Sequence, residues 1–256
     1  MPFANRDVPI YFTELGAGEP VLFCHGAGGN STTWWQQFAF FSGNYRCIAF
    51  DHRGFGRSVC GPEHFDVGLY CGDALAVLDD AGVDKAHVVC QSMGGWTGVR
   101  LALQHPERVL SLTLGDTIGG FNIPSGVSDM QRVIDRLKQV GGSNVALGKA
   151  FRQNQPADAH LYREISAFNT GIRSLDLYGQ MFRPDVLVAL ERTAELTLPV
   201  MIVAGSEDEF WPPDVLKELK GYIPGAQLIE LESGHSPYYE IPELFNQRLE
   251  EFLEAN

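Results

Sequence analysis

Short apolar runs rich in β-branched residues alternate with helical patterns along most of the chain, and this alternation restricts the fold more than any other feature. Strands separated by helices return through crossovers, which build a parallel sheet covered by helices on both faces. Strands are read at Val21–Cys24, Cys47–Phe50, His87–Cys90, Val109–Leu114, Val200–Ala204 and Gln227–Leu231. Val8–Glu14, closed by Gly16-Ala17-Gly18, reads as an edge hairpin strand leading into the run at Val21. Helices are predicted to start near Thr32, Val67, Met93, Pro213 and Pro237. The expected class is α/β.

One region breaks the rhythm. Between about Gly119 and Thr197 there is no strand pattern, only helical ones such as residues 128–137, SDMQRVIDRL. Such a block, inserted between two strands at their carboxyl ends, would cover the crevice where open α/β sheets bind ligands. The expected organisation is therefore a core of residues 1–118 and 198–256 with a helical lid, or cap, at 119–197.

A chain of 256 residues can bury a core large enough to need no disulfide or metal staple. Its five cysteines (Cys24, Cys47, Cys60, Cys71 and Cys90) are odd in number and lack CxxC spacing, so free thiols in a reducing compartment are expected. With 19 basic against 32 acidic residues the net charge is −13, which argues against nucleic acid or an anionic membrane as partner. No apolar run reaches the roughly 20 residues of a membrane span, and the start MPFANRDVPIYF has no signal-peptide pattern. A cytoplasmic protein acting on a small molecule is the expectation.

The segment His87-Val88-Val89-Cys90-Gln91-Ser92-Met93-Gly94-Gly95-Trp96 passes from a strand straight into a helix, with small residues around Ser92. A serine on so sharp a turn is strained, and its hydroxyl is exposed over the helix amino end. On its own the turn also fits an ordinary helix cap. Serine is a poor nucleophile, however, and needs a general base together with a carboxylate to orient that base. Two later strands end in suitable groups: Gly205-Ser206-Glu207-Asp208-Glu209 and Glu232-Ser233-Gly234-His235-Ser236-Pro237. All three groups follow strand carboxyl ends, so they can converge, in the chain order Ser, Asp, His.

Five segments together resemble the α/β-hydrolase fold family, in its serine-nucleophile esterase and lactonase branch. They are His25-Gly26-Ala27-Gly28-Gly29, Asp51-His52-Arg53-Gly54-Phe55-Gly56-Arg57-Ser58, Cys90-Gln91-Ser92-Met93-Gly94-Gly95, Gly205-Ser206-Glu207-Asp208, and Gly234-His235 with Glu240-Ile241-Pro242-Glu243. The likeness spans nearly the whole chain outside the helical block. Cys90 departs from it, standing where the pattern has glycine. The resemblance implies an eight-stranded, mostly parallel sheet, Ser92 as nucleophile, His235 as base and Asp208 as orienting acid, with Glu207 and Glu209 as rivals for the last role. It also implies an oxyanion hole from the backbone amides of Ala27 and Met93, with His25 bracing the Ala27 loop. Asp51 and Arg53 are expected to shape a neighbouring loop, and Cys24 and Cys90 to be packing residues.

Gly26-Ala27-Gly28 after a strand, with Asp51 closing the next, also looks like half a dinucleotide fingerprint. That reading fails because the third glycine would fall at Ser31, with Trp34 and Trp35 where the helix must pack closely. No metal or organic cofactor is expected. His52, His64, His87, His105 and His160 lack ligand or nucleophile spacing and are assigned no chemistry. Trp34, Trp96, Phe121, Tyr178 and Trp211 are the candidate substrate contacts, giving an apolar pocket for uncharged substrates.

Within the resemblance, a serine nucleophile excludes branches that use aspartate, leaving hydrolysis of an ester or lactone through an acyl-enzyme. A carbon–carbon hydrolase of ring-cleavage products shares the SMGG turn, but those enzymes usually place tryptophan where this chain has Ser236. A cofactor-free perhydrolase and a non-catalytic ligand receptor on the same fold also fit these residues.

Overall fold

The computed structural model describes residues 3–128, 134 and 145–256. The strands are β1 (Phe3–Ala4), β2 (Ile10–Leu15), β3 (Glu19–Cys24), β4 (Tyr45–Phe50), β5 (Ala86–Gln91), β6 (Val109–Gly115), β7 (Val200–Gly205) and β8 (Gln227–Leu231). They form one eight-stranded sheet in the order β1-β2-β4-β3-β5-β6-β7-β8. From β4 to β8 all neighbours are parallel, while β2 runs antiparallel to β4 and β1 antiparallel to β2. This is the mostly parallel sheet of the α/β-hydrolase fold.

The reading of Val8–Glu14 as an edge strand paired with its successor is corrected by this order. β3 has both sides occupied, by β4 and β5, so β2 pairs with β4 (Phe12 opposite Phe50), and the edge belongs to β1. Side-chain pattern accounts for the exchange. Val21-Leu22-Phe23-Cys24 is apolar on both faces and takes a central place, whereas β2 alternates buried with half-exposed residues.

Residues of period two divide the core into two layers. Val21, Phe23, Cys47, Ala49, Val89, Met201 and Val203 pack under α1 (Trp35–Phe41) and the carboxyl-terminal helix Pro242–Glu254. Leu22, Cys24, Ile48, Phe50, Val88, Cys90, Leu112, Leu114, Ile202 and Ala204 pack under α2 (Tyr70–Asp80), α3 (Gly94–Gln104) and the helix Pro213–Tyr222. Between β6 and β7 the described residues hold α4 (Pro124–Ser128), α5 (Lys149–Asn154), α6 (Pro156–Ala167) and α7 (Leu177–Met181). Their one strand-like pairing is the isolated bridge Phe121–Val188. The helical pattern read at residues 128–137 lies largely outside the described residues. No described helix is long and apolar enough to cross a membrane.

α3 packs on β5 at very short range. A Cβ added to Gly98 would lie 2.3 Å from Sγ of Cys90 and 2.9 Å from Cδ1 of Leu112. Cys90 is thus accommodated at the pattern's glycine position because the facing helix has a glycine of its own. In an open helix Gly→Ala would gain about 1 kcal/mol of propensity. Here overpacking, at roughly 1–3 kcal/mol, should win. Gly98→Ala is expected to destabilise the protein in urea denaturation, and to do so less in a Cys90→Gly background; equal losses in both backgrounds would refute this contact.

Candidate active site

Ser92 occupies the tip between β5 and α3 with a left-handed backbone, φ +50°, a conformation that costs non-glycine residues on the order of 1–3 kcal/mol. Its N–H donates to the Gly115 carbonyl at 2.9 Å, which ties the tip to the end of β6. The helix can begin directly behind the serine only because side chains are missing there. A Cβ on Gly94 would meet the Cys24 carbonyl oxygen at 2.1 Å, and one on Gly95 would meet Thr117 Oγ1 at 2.4 Å.

Two loops that leave β7 and β8 bring a carboxylate and an imidazole to this serine. His235 Nε2 lies 2.8 Å from Ser92 Oγ, and His235 Nδ1 lies 2.9 Å from Asp208 Oδ2. A carboxylate oxygen only accepts, so Nδ1 carries the ring proton and Nε2 is left to accept from the serine hydroxyl. Asp208 Oδ1 accepts the Phe210 N–H at 2.7 Å, and the Phe210 ring stacks on the imidazole at 4.3 Å. Gln91 Nε2 donates to the His235 carbonyl at 2.9 Å. Asp208 therefore meets the imidazole; Glu207 and Glu209 are exposed.

A second carboxyl belongs to this cluster, and no motif in the sequence marks it. Asp116 follows β6 with φ +46°, is fully buried, and shares a 4.8 Å neighbourhood with Asp208 and His235. Its Oδ1 accepts the Gly205 N–H at 2.7 Å. Burial, and then the charge of Asp208, pushes its pKa well above the usual carboxylate range. Both nitrogens of His235 are hydrogen-bonded, to Asp208 and to Ser92.

The loop after β3 brings Ala27 to the same place, and Gly26 passes so close that a Cβ there would lie 3.1 Å from Ser92 Cβ. The Gly26 carbonyl accepts from Gly29 N–H at 2.9 Å and from His25 Nδ1 at 2.8 Å. His25 Nε2 accepts the His52 N–H at 3.0 Å, which fixes the Nδ1–H tautomer. Peptide planarity then directs the Ala27 N–H away from those donors. Met93 follows the serine and is buried. Among the described residues neither the Ala27 nor the Met93 amide donates to a turn or cap. Asp51 accepts from the amides of Ser31 (2.6 Å) and Arg57 (2.7 Å), and Arg53 forms a buried ion pair with Asp73 at 2.6 Å.

A cavity of about 190 Å³ opens beside Ser92 and His235. Of the predicted contacts, Tyr178 and Trp211 line it. Trp34 does not: it packs in the layer across the sheet, against Phe23 and Tyr238. Trp96 stands behind the wall, its indole N–H on the Met181 carbonyl at 3.0 Å and its ring against Trp211 and Phe182. Phe121 is buried in the core. Sequence reasoning misses the lining residues Tyr162, Ser166, Met181 and Phe210. Only helical phase could have found the first three, since their types are ordinary for any helix.

Burial keeps His25 neutral, its pKa pushed from 6.5 down to about 4. Between those values the unfolded chain holds the extra proton, so this contribution to stability is complete above pH 6.5 and is lost as pH falls towards 4. It amounts to about 3 kcal/mol. The stability gap between wild type and His25→Asn in urea is therefore expected to narrow by about that amount from pH 7 to pH 4. A constant gap would show that His25 does not titrate in this range.

The chain is similar to several known proteins over almost its whole length. RutD of Azorhizobium caulinodans, a protein named as a carbamate hydrolase, is 29% identical, with 97% of each chain covered. The 2-hydroxy-6-oxononadienedioate/2-hydroxy-6-oxononatrienedioate hydrolase of Paraburkholderia phymatum is 30% identical, covering 97% of this chain and 92% of its own. Among solved structures, an N-acyl homoserine lactone degrading enzyme superposes with a TM-score of 0.81 at 27% identity, covering 98% of this chain and 99% of that one. The family model described as alpha/beta hydrolase fold matches residues 19–165. With that match over more than half of the chain, the chain belongs to the α/β-hydrolase fold family.

Proposed function

We propose that this protein is a serine hydrolase that cleaves a small, largely apolar carboxylic ester or lactone through an acyl-enzyme. The observation that carries this reading is the continuous hydrogen-bonded chain from Ser92 through His235 to Asp208, at 2.8 and 2.9 Å. Ser92 Oγ attacks the carbonyl carbon while its proton passes to His235 Nε2. The amides of Ala27 and Met93 receive the oxyanion, each such donor contributing about 3 kcal/mol to the transition state. His235 returns the proton to the leaving alcohol. It then activates a water that releases the acid and restores the serine. In a lactone, alcohol and acid remain in one product.

The cavity favours an uncharged substrate. Ala27, Ala146, Met181, Phe182, Phe210 and Trp211 supply apolar surface, and among the described residues no lysine or arginine lines it. A dicarboxylate of the kind named for the Paraburkholderia relative would call for a cation there. Ser236, at the position after the histidine, is buried with its hydroxyl 3.2 Å from Tyr162. In this reading residues 119–197 act as a lid, since α6 and α7 contribute Tyr162, Ser166, Tyr178 and Met181 to the cavity wall.

Ser92→Ala is expected to reduce p-nitrophenyl butyrate hydrolysis by up to about a millionfold while leaving the fold intact. Asp208→Asn should cost about ten-thousandfold in kcat, because the wrong imidazole tautomer then faces the serine. A fluorophosphonate probe should label the wild type and not Ser92→Ala. Equal ester turnover by wild type and Ser92→Ala would overturn the enzyme reading. A side-by-side panel of esters, lactones and ring-cleavage diketones would rank the substrate classes.

A further inference from the structure

One buried side chain joins the segment between β6 and β7 to the loop that carries Ala27. Asn169, just beyond α6 and 3% exposed, uses all four hydrogen-bonding positions of its amide. Nδ2 donates to the carbonyls of Gly28 (3.2 Å) and Gly29 (2.9 Å). Oδ1 accepts from Asn30 Nδ2 (3.3 Å) and from the Gly56 N–H (3.0 Å). Asn30 Nδ2 also donates to the Ile165 carbonyl at 3.0 Å, while Asn30 Oδ1 caps the Thr32 N–H at 3.0 Å.

The geometry forms a short mechanical linkage. The Gly28 carbonyl and the Gly29 N–H belong to one rigid peptide plane. Asn169 holds that plane by its oxygen, and the Gly26 carbonyl holds it by its N–H at 2.9 Å. The Gly26 carbonyl is in turn part of the plane that carries the Ala27 N–H. Gly28 and Gly29 have no side chains with which to set their own orientation, and glycine tolerates many.

We propose that Asn169 is a positioning residue that sets the direction of the Ala27 amide for oxyanion binding, an inference that rests on the hydrolase reading above. The segment over the cavity thereby controls transition-state stabilisation as well as substrate shape. A misdirected donor lowers turnover without weakening ground-state binding, and misplacement by about 1 Å is enough to cost on the order of a hundredfold.

The test compares wild type with Asn169→Ala, Asn169→Asp and Asn30→Asp. The last keeps a good helix-capping oxygen while removing the Nδ2 donor, so it untangles the linkage even if the Asn169 variants do not fold. Three quantities are measured for each folded protein: kcat and KM for p-nitrophenyl butyrate, Ki for an alkyl trifluoromethyl ketone, and affinity for the corresponding alcohol. The ketone reports the oxyanion: Ser92 Oγ adds to its carbonyl carbon, the serine proton goes to His235, and the carbonyl electron pair becomes the charged oxygen. Expected are a kcat roughly tenfold to hundredfold lower, a Ki raised in proportion, and KM and alcohol affinity within about threefold. The proposal is overturned if folded variants keep kcat and Ki, or if alcohol affinity falls in step with kcat. A wild type that neither turns over the ester nor takes up the ketone would instead overturn the hydrolase reading, and the proposal with it.

Discussion

A serine forced into a left-handed backbone at the end of β5 is the constraint on which this site depends. The strain persists only because the surroundings leave the turn no other path. Gly94 abuts the Cys24 carbonyl, Gly95 abuts Thr117, and Gly98 abuts Cys90, so α3 is pressed against the sheet directly behind the turn. Parallel topology supplies the rest. The crossovers leave the carboxyl ends of β3, β5, β6, β7 and β8 along one edge, and each contributes one group: Ala27, Ser92, Asp116, Asp208 and His235.

Electrostatics beneath the imidazole follow from how two buried carboxyls divide one charge. Groups this close cannot both ionise in a dry site. Asp208 receives two hydrogens, from Phe210 N–H and His235 Nδ1. Asp116 receives one, from Gly205, and its Oδ2 has no partner among the described residues. Burial, and then the charge of Asp208, accordingly pushes the pKa of Asp116 upward, towards its neutral form. In the proposed hydrolase, a single carboxylate would then face the imidazolium formed as Ser92 gives up its proton.

Most of the sheet was legible because buried parallel strands demand continuous apolar runs, and few other elements do. The strand read at Gln227–Leu231 has the observed bounds, and the one at Val109–Leu114 gains only Gly115. Lateral order was not legible: chain neighbours need not be sheet neighbours, and β2 found its partner in β4. Ser92, Asp208 and His235 could be found because residue type and strand-end position both point to them. The cavity wall could not be read in the same way. Trp34 and Trp96 sit at helix starts like Trp211, yet only the direction of each helix decides which ring reaches the cavity, and Trp34 ended across the sheet. Asn169 carried no motif at all, since its importance lies in four partners contributed from elsewhere in the chain.

The segment between β6 and β7 is tied to loops as well as to the sheet core. Gly148 donates to Glu240 at 2.9 Å, and Glu240 also accepts from Gly234 and Ser236 on either side of His235. Tyr162 meets Ser236 at 3.2 Å, and Asn169 holds Gly28 and Gly29. The loop bearing the imidazole and the loop bearing Ala27 are thus both braced from above. This divides the cavity wall into two kinds of residue. Tyr178 and Phe182 present rings to the cavity and take no part in these ties, so their size can change with the substrate. Tyr162 cannot be exchanged so freely, because one ring shapes the cavity while its hydroxyl steadies the residue after His235. In the proposed hydrolase, specificity and proton transfer are therefore separable at Tyr178 and Phe182 and coupled at Tyr162.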